Sequence, residues 1–210
     1  MIRIIIVDDH FLIREGFKNI INTEVDMKIV GQAENAAEAM KLIRETEFDV
    51  LALDISMPDR TGLDLLKDIK NLKPDIKILI LSMHPEDRFA LRAIKSGAHG
   101  YITKESAPQE LVKAIRKVTE GRKYISETLG ERLAGELMVE TEKALHESLS
   151  DREFQVLCKI GEGKTVTQIA DELSLSISTV NTYRIRILDK LKVNSNAGII
   201  HYAVKNNLIE

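Results

Sequence analysis

Val50-Leu51-Ala52-Leu53-Asp54-Ile55-Ser56-Met57-Pro58 runs four apolar residues straight into an aspartate. Such a run reads as a strand buried on both faces, ended by a proline-containing loop that leaves a carboxylate at the strand's C-terminal edge. A turn aspartate looks the same in isolation. What surrounds Asp54 decides between the two readings.

Strand and helix patterns alternate through residues 1–121. Ile2–Val7 is an apolar strand broken only by Arg3. Phe11–Ile21 is helical, with a broad apolar stripe that reads first as tight core packing and second as spare surface for a partner. Lys28–Ala33 is a short strand, and Asn35 caps a helix to about Thr46. Val50–Leu53 follows, then a helix over Leu63–Leu72 ended by Pro74. Ile76–Leu81, a helix over Glu86–Lys95 and a short strand Gly100–Ile102 come next. Ser106 caps a last helix, with Pro108 in its first turn. Five strands alternating with five helices predict an α/β domain with a parallel, doubly wound sheet.

In such sheets ligands bind outside the carboxyl ends of the strands. Strand one ends in Asp8-Asp9, strand three in Asp54, strand four in Ser82, and Lys104 closely follows strand five. In the flavodoxin-like order 2-1-3-4-5 these four strands are neighbours, so the groups converge. Three carboxylates together need a cation to stay ionised. All-oxygen ligation suits Mg²⁺, and a metal with a lysine suits a phosphoryl group. Asp54 then reads as a nucleophile.

Residues 1–121 resemble a bacterial response-regulator receiver domain. The matching residues are Val7-Asp8-Asp9-His10, Asp54 with Met57-Pro58 and Gly62, Leu81-Ser82, and Gly100-Tyr101-Ile102-Thr103-Lys104. The resemblance implies that Asp54 accepts a phosphoryl group from a sensor histidine kinase. It implies direct Mg²⁺ ligation by Asp9, Asp54 and the Ser56 backbone carbonyl, with Asp8 acting through water. Lys104 would pair with the phosphoryl oxygens. Ser82 and Tyr101 would form the switch, the ring turning inward behind the hydroxyl. Glu105 stands where many receivers have proline, and the run from Lys104 to Leu111 resembles the NarL/FixJ branch.

Residues 122–146 read as a helical linker, with Ile125, Leu129, Leu133 and Leu137 on one stripe. Residues 147–210 read as all helix. Ser150-Asp151-Arg152-Glu153 is a capping box before the buried line Phe154, Leu157 and Ile160. Thr165 caps a short helix, Ser174-Leu175-Ser176 turns the chain, and Ile177–Lys192 forms a longer helix, the helix-turn-helix plan. Ser195–Asn206 is the last helix. Leu149 to Leu157, Ile169-Ala170, Ser178 to Tyr183 and Asp189-Lys190-Leu191 look like a LuxR-type DNA-binding domain. Where that family commonly carries an arginine after the recognition helix, this chain has Asn194-Ser195-Asn196.

Charge agrees with a local rather than global nucleic-acid footprint. The chain of 210 residues has a net charge of -3, and residues 176–192 gather Arg184, Arg186, Lys190 and Lys192 against Asp189 alone. Helical projection turns Asn181, Thr182 and Ile185 outward. Asn181 and Thr182 are expected to reach base edges, Ile185 to meet a thymine methyl or be covered by the receiver, and Arg184, Arg186 and Lys190 to hold phosphates.

The only cysteine, Cys158, excludes an internal disulfide and reads as a core residue. No apolar run approaches the roughly 20 residues of a bilayer span, and the N-terminus shows no signal-peptide pattern. The expectation is a cytoplasmic transcription regulator, not an enzyme. Its expected partners are a sensor histidine kinase, promoter DNA, a second copy when active, and RNA polymerase as a further candidate. Two rivals are an aspartyl phosphatase, which normally needs a second acid where Ser56 stands, and a receiver-controlled protein-interaction module.

Overall fold

The computed structural model describes residues 1–57, 60–138 and 144–209. The chain divides into two compact units, Met1–Gly135 and Glu136–Glu210.

The first unit alternates β1 (Ile2–Val7), α1 (Phe11–Asn22), β2 (Met27–Ala33), α2 (Ala36–Glu45), β3 (Val50–Asp54), α3 (Gly62–Leu72), β4 (Lys77–Ser82), α4 (Glu86–Lys95), β5 (Gly100–Thr103) and α5 (Ala107–Thr119). All strands are parallel, in the order β2-β1-β3-β4-β5. Ile4, Ile6, Val50, Ala52, Leu79 and Leu81 line one face, packed with Phe17 and Ile21 of α1 and with Leu111, Ile115 and Val118 of α5. Their neighbours Ile5, Val7, Leu51, Leu53, Ile78 and Ile80 point to the opposite face and are equally buried. Burial on both faces is why these strands carry continuous apolar runs instead of alternation.

Register levels the strand ends. Val7 pairs with Leu53, so Asp8 follows level with Asp54. Asp54 pairs with Leu81, and Ser82 pairs with Thr103, the residue before Lys104.

Side chains cap α2 and α3, while α1, α4 and α5 start without a side-chain cap bond. The Asn35 and Thr61 side chains accept the Glu38 and Asp64 amides. Ser106 was expected to cap α5 but sits in helical backbone conformation and makes no cap bond. The Thr103 hydroxyl accepts the Ser106 N–H at 3.1 Å, which moves the capping role one turn earlier. On α1, Phe17 and Ile21 are buried while Phe11 and Leu12 stand exposed, so the wide apolar stripe is only partly used by the core.

The start of the linker adds to the sheet. Tyr124 bridges Gly100 in parallel: its N–H donates to the His99 carbonyl at 2.8 Å, and its carbonyl accepts the Tyr101 N–H at 3.3 Å. α6 (Glu127–Met138) follows. The bridge explains Gly100, where an added Cβ would stand 2.8 Å from the Tyr124 carbonyl oxygen and 2.9 Å from Leu79 Cδ1.

The second unit has a 3₁₀ turn at Leu145–Ser148, then α7 (Asp151–Gly161), α8 (Val166–Glu172), α9 (Ile177–Leu191) and α10 (Asn196–Lys205). Capping boxes open α7 at Ser150 and α8 at Thr165. Phe154, Leu157, Cys158, Ile169, Val180, Ile187, Leu191, Ile199 and Ala203 are buried. Among the described residues no helix is long and apolar enough to cross a membrane.

Gly100→Ala forces the linker off β5 or strains the strand. We expect a loss of about 1–3 kcal/mol in urea melts, with faster hydrogen exchange at the Tyr124 amide.

Candidate functional site

The levelled strand ends bring Asp8, Asp54, Ser82 and Lys104 to one rim, and all four are buried. The Lys104 ammonium lies 2.8 Å from Asp54 Oδ2 and 2.7 Å from Asp8 Oδ2. The backbone supports this grip, because the Lys104 N–H donates to the Ser82 carbonyl at 2.7 Å. The second Asp54 oxygen, Oδ1, accepts the Ser56 N–H at 3.1 Å. The loop after β3 approaches so closely that a Cβ on Gly62 would overlap the Asp54 carbonyl oxygen. Only glycine fits there.

Burial pushes the Asp54 carboxyl up to about 6, with Lys104 opposing the rise and Asp8 adding to it. Burial pulls the Lys104 ammonium down, but Asp54 and Asp8 outweigh that pull and hold it above the ordinary lysine range. The lysine is therefore a fixed cation, and Asp54 is the group whose charge is costly.

Asp9 is partly exposed beside this pair, with Oδ1 at 2.8 Å from His10 Nδ1. The Asp8 side chain turns back to accept the His10 N–H at 2.9 Å. Carboxylate and imidazole atoms of Asp8, Asp9, His10 and Asp54 all lie within 4.8 Å of one another. Asp9 Oδ1 and Asp8 Oδ2 are buried and make no hydrogen bond of good geometry, although His10 Nδ1 lies 2.8 Å from the first and the Lys104 ammonium 2.7 Å from the second. Carboxylate oxygens gathered this closely repel one another, and a cation among them relieves that cost. The donor set fits a metal site.

Ser82 and Tyr101 share the His84 backbone. Ser82 Oγ accepts the His84 N–H at 3.0 Å. The Tyr101 ring is turned inward, 3% exposed, and its hydroxyl donates to the His84 carbonyl at 2.8 Å.

Sequence reasoning missed Arg14. It lies on α1 with only 10% of its side chain exposed and donates to the Asp8 carbonyl at 2.6 Å. An arginine on a helix reads as surface; only its position six residues after the strand-ending Asp8 could have drawn attention to it.

In the second unit, Ser176 caps α9 by accepting the Thr179 N–H. Thr182, Ile185 and Arg186 are exposed, and Asn181 and Arg184 are half-buried. Thr182 donates its hydroxyl to the Ser178 carbonyl at 3.0 Å, and Arg184 Nε donates to Asn196 Oδ1 at 2.6 Å. Asn196, the first residue of α10, thus steadies an arginine of the recognition helix.

Lys190 has a partner within its own domain. Its ammonium is turned onto its own domain, 2.6 Å from Glu153 Oε2 and 3.2 Å from the Ser148 carbonyl. Burial pushes the Glu153 carboxyl up, but Lys190 and the Ser150 amide outweigh it and hold it below its usual range. Glu153 is the capping-box residue of α7, so Lys190 pins α9 to the start of α7. Helical projection could not see a partner 37 positions away.

A parallel sheet with a lysine-bridged aspartate pair at its carboxyl rim, followed by a helix-turn-helix unit, defines a two-component response regulator. A family model described as a response regulator receiver domain matches residues 4–116, and one described as bacterial regulatory proteins of the luxR family matches residues 147–203. The chain belongs to the LuxR-type response regulators. Response regulator UvrY of Escherichia coli K12 is 36% identical over 99% of this chain and 96% of its own. Response regulator GacA of Pseudomonas aeruginosa is 36% identical over 100% of this chain and 99% of its own. Among solved structures, RcsB from Salmonella enterica serovar Typhimurium, bound to promoter rprA with the phosphomimetic BeF₃⁻, superposes with a TM-score of 0.64. It is 26% identical and covers 97% of this chain and 99% of that one.

Two outcomes follow from these contacts. Asp54 has a folded pKa above its unfolded value, so ionising it costs stability as pH rises through about 6. Without added metal, Asp54→Asn melts above wild type at pH 7.5, and the gap closes towards pH 4.5. Lys190→Ala leaves the buried Glu153 carboxylate without its cation and lowers stability by about 1–3 kcal/mol, read from urea melts.

Proposed function

We propose that Asp54 accepts a phosphoryl group from a sensor kinase and that its modification controls promoter binding by residues 147–210. The observation that carries this is the Lys104 ammonium held between Asp8 and Asp54 at 2.7 and 2.8 Å. Residues 1–121 are the receiver, 122–146 the linker and 147–210 the DNA-binding domain.

Asp54 presents its carboxylate with one oxygen steadied by Ser56 and the other by Lys104. A carboxylate oxygen attacks the phosphorus of a phosphohistidine; the O–P bond forms, the P–N bond breaks, and the leaving imidazole nitrogen takes up a proton. Asp9, Asp54 and the Ser56 carbonyl, with Asp8 in support, would hold Mg²⁺. When bound, the ion neutralises charge on the phosphoryl oxygens. Lys104 leaves its carboxylate partners for the new oxygens, and Ser82 turns its hydroxyl the same way. Exposed Phe11 and Leu12 beside the rim offer the kinase an apolar surface.

Output runs through β5. The Tyr101 hydroxyl and Ser82 Oγ both bond the His84 backbone, and the Tyr101 backbone N–H holds Tyr124 at the start of the linker. A shift of β5 therefore moves the linker as well as the face made by α4, β5 and α5. That change favours a dimer whose two recognition helices enter successive major grooves, about 34 Å apart. The DNA-bound RcsB relative supports this reading. Asn181, Thr182 and Ile185 face the bases, and Arg184, Arg186 and Lys190 hold phosphates. A change from 1:99 to 99:1 requires about 5.5 kcal/mol of differential stabilisation. The relatives are response regulators, and this chain acts as the substrate of a kinase reaction rather than as an enzyme with its own turnover.

Selection of bound DNA from a random library, with and without acetyl phosphate and Mg²⁺, tests both halves. We expect an enriched motif bound more tightly with the phosphodonor, no labelling of Asp54→Asn, and loss of binding in Arg184→Ala plus Arg186→Ala. Labelling of Asp54→Asn, or undiminished binding by the double variant, sinks the corresponding half.

A further inference from the structure

Arg14 is a buried cation that the phosphoryl chemistry above does not use. Its guanidinium has five N–H donors. Its partners are the Asp8 carbonyl at 2.6 Å, Glu34 at 3.6 Å, and the face of the Phe11 ring at 5.8 Å. Burying an arginine costs several kcal/mol unless it is well compensated, and one hydrogen bond with one long ion pair is thin compensation. The benefit lies in what that hydrogen bond holds.

The Asp8 carbonyl belongs to the Asp8–Asp9 peptide. A peptide is planar, so fixing its oxygen fixes the opposite N–H and the place of the Asp9 Cα from which the side chain departs. Every other group of Asp8 is already held. Its N–H donates to the Ala33 carbonyl of β2 at 3.1 Å. Its carboxylate meets the His10 amide and Lys104. The carbonyl is the remaining degree of freedom, and Arg14 closes it. Asp9 Oδ1, a buried oxygen that makes no hydrogen bond of good geometry and has His10 Nδ1 2.8 Å away, stands at the end of that lever.

We infer that Arg14 is a positioning residue: by clamping the Asp8–Asp9 peptide it aims Asp9 at the divalent cation, and so sets metal affinity without touching the metal. The inference rests on the metal reading given above.

Electrostatics and positioning predict opposite signs, which makes the test sharp. Arg14 is a positive charge next to a cation site, so removing charge alone strengthens binding. Removing the clamp weakens it. Mn²⁺ binding to the full-length chain is followed by electron paramagnetic resonance, with Mg²⁺ in competition, for wild type, Arg14→Met and Arg14→Lys. Arg14→Met keeps the apolar stem and is expected to weaken Mn²⁺ about tenfold. Arg14→Lys can still donate to the Asp8 carbonyl and is expected within about threefold of wild type. The metal concentration giving half-maximal labelling by acetyl phosphate should rise in Arg14→Met, while the rate at saturating metal stays near wild type. Unchanged or tighter Mn²⁺ binding in Arg14→Met overturns the inference. So does a labelling rate that stays low at saturating metal, because the residue would then shape more than Asp9. Wild-type protein that binds no Mn²⁺ overturns the metal reading, and this inference with it; normal wild-type binding with an unaffected Arg14→Met overturns this inference alone.

Discussion

Two buried carboxylates cannot stand side by side without a cation between them, and Lys104 supplies it to Asp8 and Asp54. Much of the receiver follows from keeping that ammonium in place. Three strands must end level, which the paired registers of β1, β3 and β4 achieve. The lysine must arrive from the next strand over, and its amide is tied to the Ser82 carbonyl for that purpose. The loop after β3 must fold back against Asp54, which only a glycine at position 62 permits. A group held this tightly responds to new charge in the site as a unit, because none of its members can relax alone.

The sheet is legible in the sequence for a physical reason. Strands buried on both faces need unbroken apolar runs, and the polar residues that interrupt them fall at the strand ends, where the site is. Asp54, Asp8, Ser82 and Lys104 could thus be placed together before any coordinates. What was not legible depends on side chains reaching far along the chain. Nothing local announces that Arg14 is buried, that Thr103 takes over the cap from Ser106, or that Tyr124 joins the sheet. Gly100 carried a trace of the last, since a glycine inside a strand often marks a close backbone approach.

The recognition helix shows the same limit in another form. Its outward face, with Thr182, Ile185 and Arg186 exposed, follows from the 3.6-residue period. The fate of its basic residues does not. Lys190 and Arg184 lie within two turns of each other, yet one is bound to Glu153 and the other to Asn196. Counting positive charges on a helix overstates what is open to a phosphate backbone. Some of that charge holds the helix at the angle from which the rest can act.

The Tyr124 bridge also bears on solubility. Open parallel sheets end in edge strands whose unpaired N–H and carbonyl groups invite pairing with another chain. On the β5 side, Tyr124 takes up the His99 carbonyl and the Tyr101 amide and lays its backbone over the place where a foreign strand would begin to zip. A receiver cut after Gly121 would lose this guard while keeping Asp8, Asp9, Asp54, Ser82 and Lys104. The linker's first residues are therefore part of the folded receiver's defence against self-association, and the natural place to divide the chain lies beyond them.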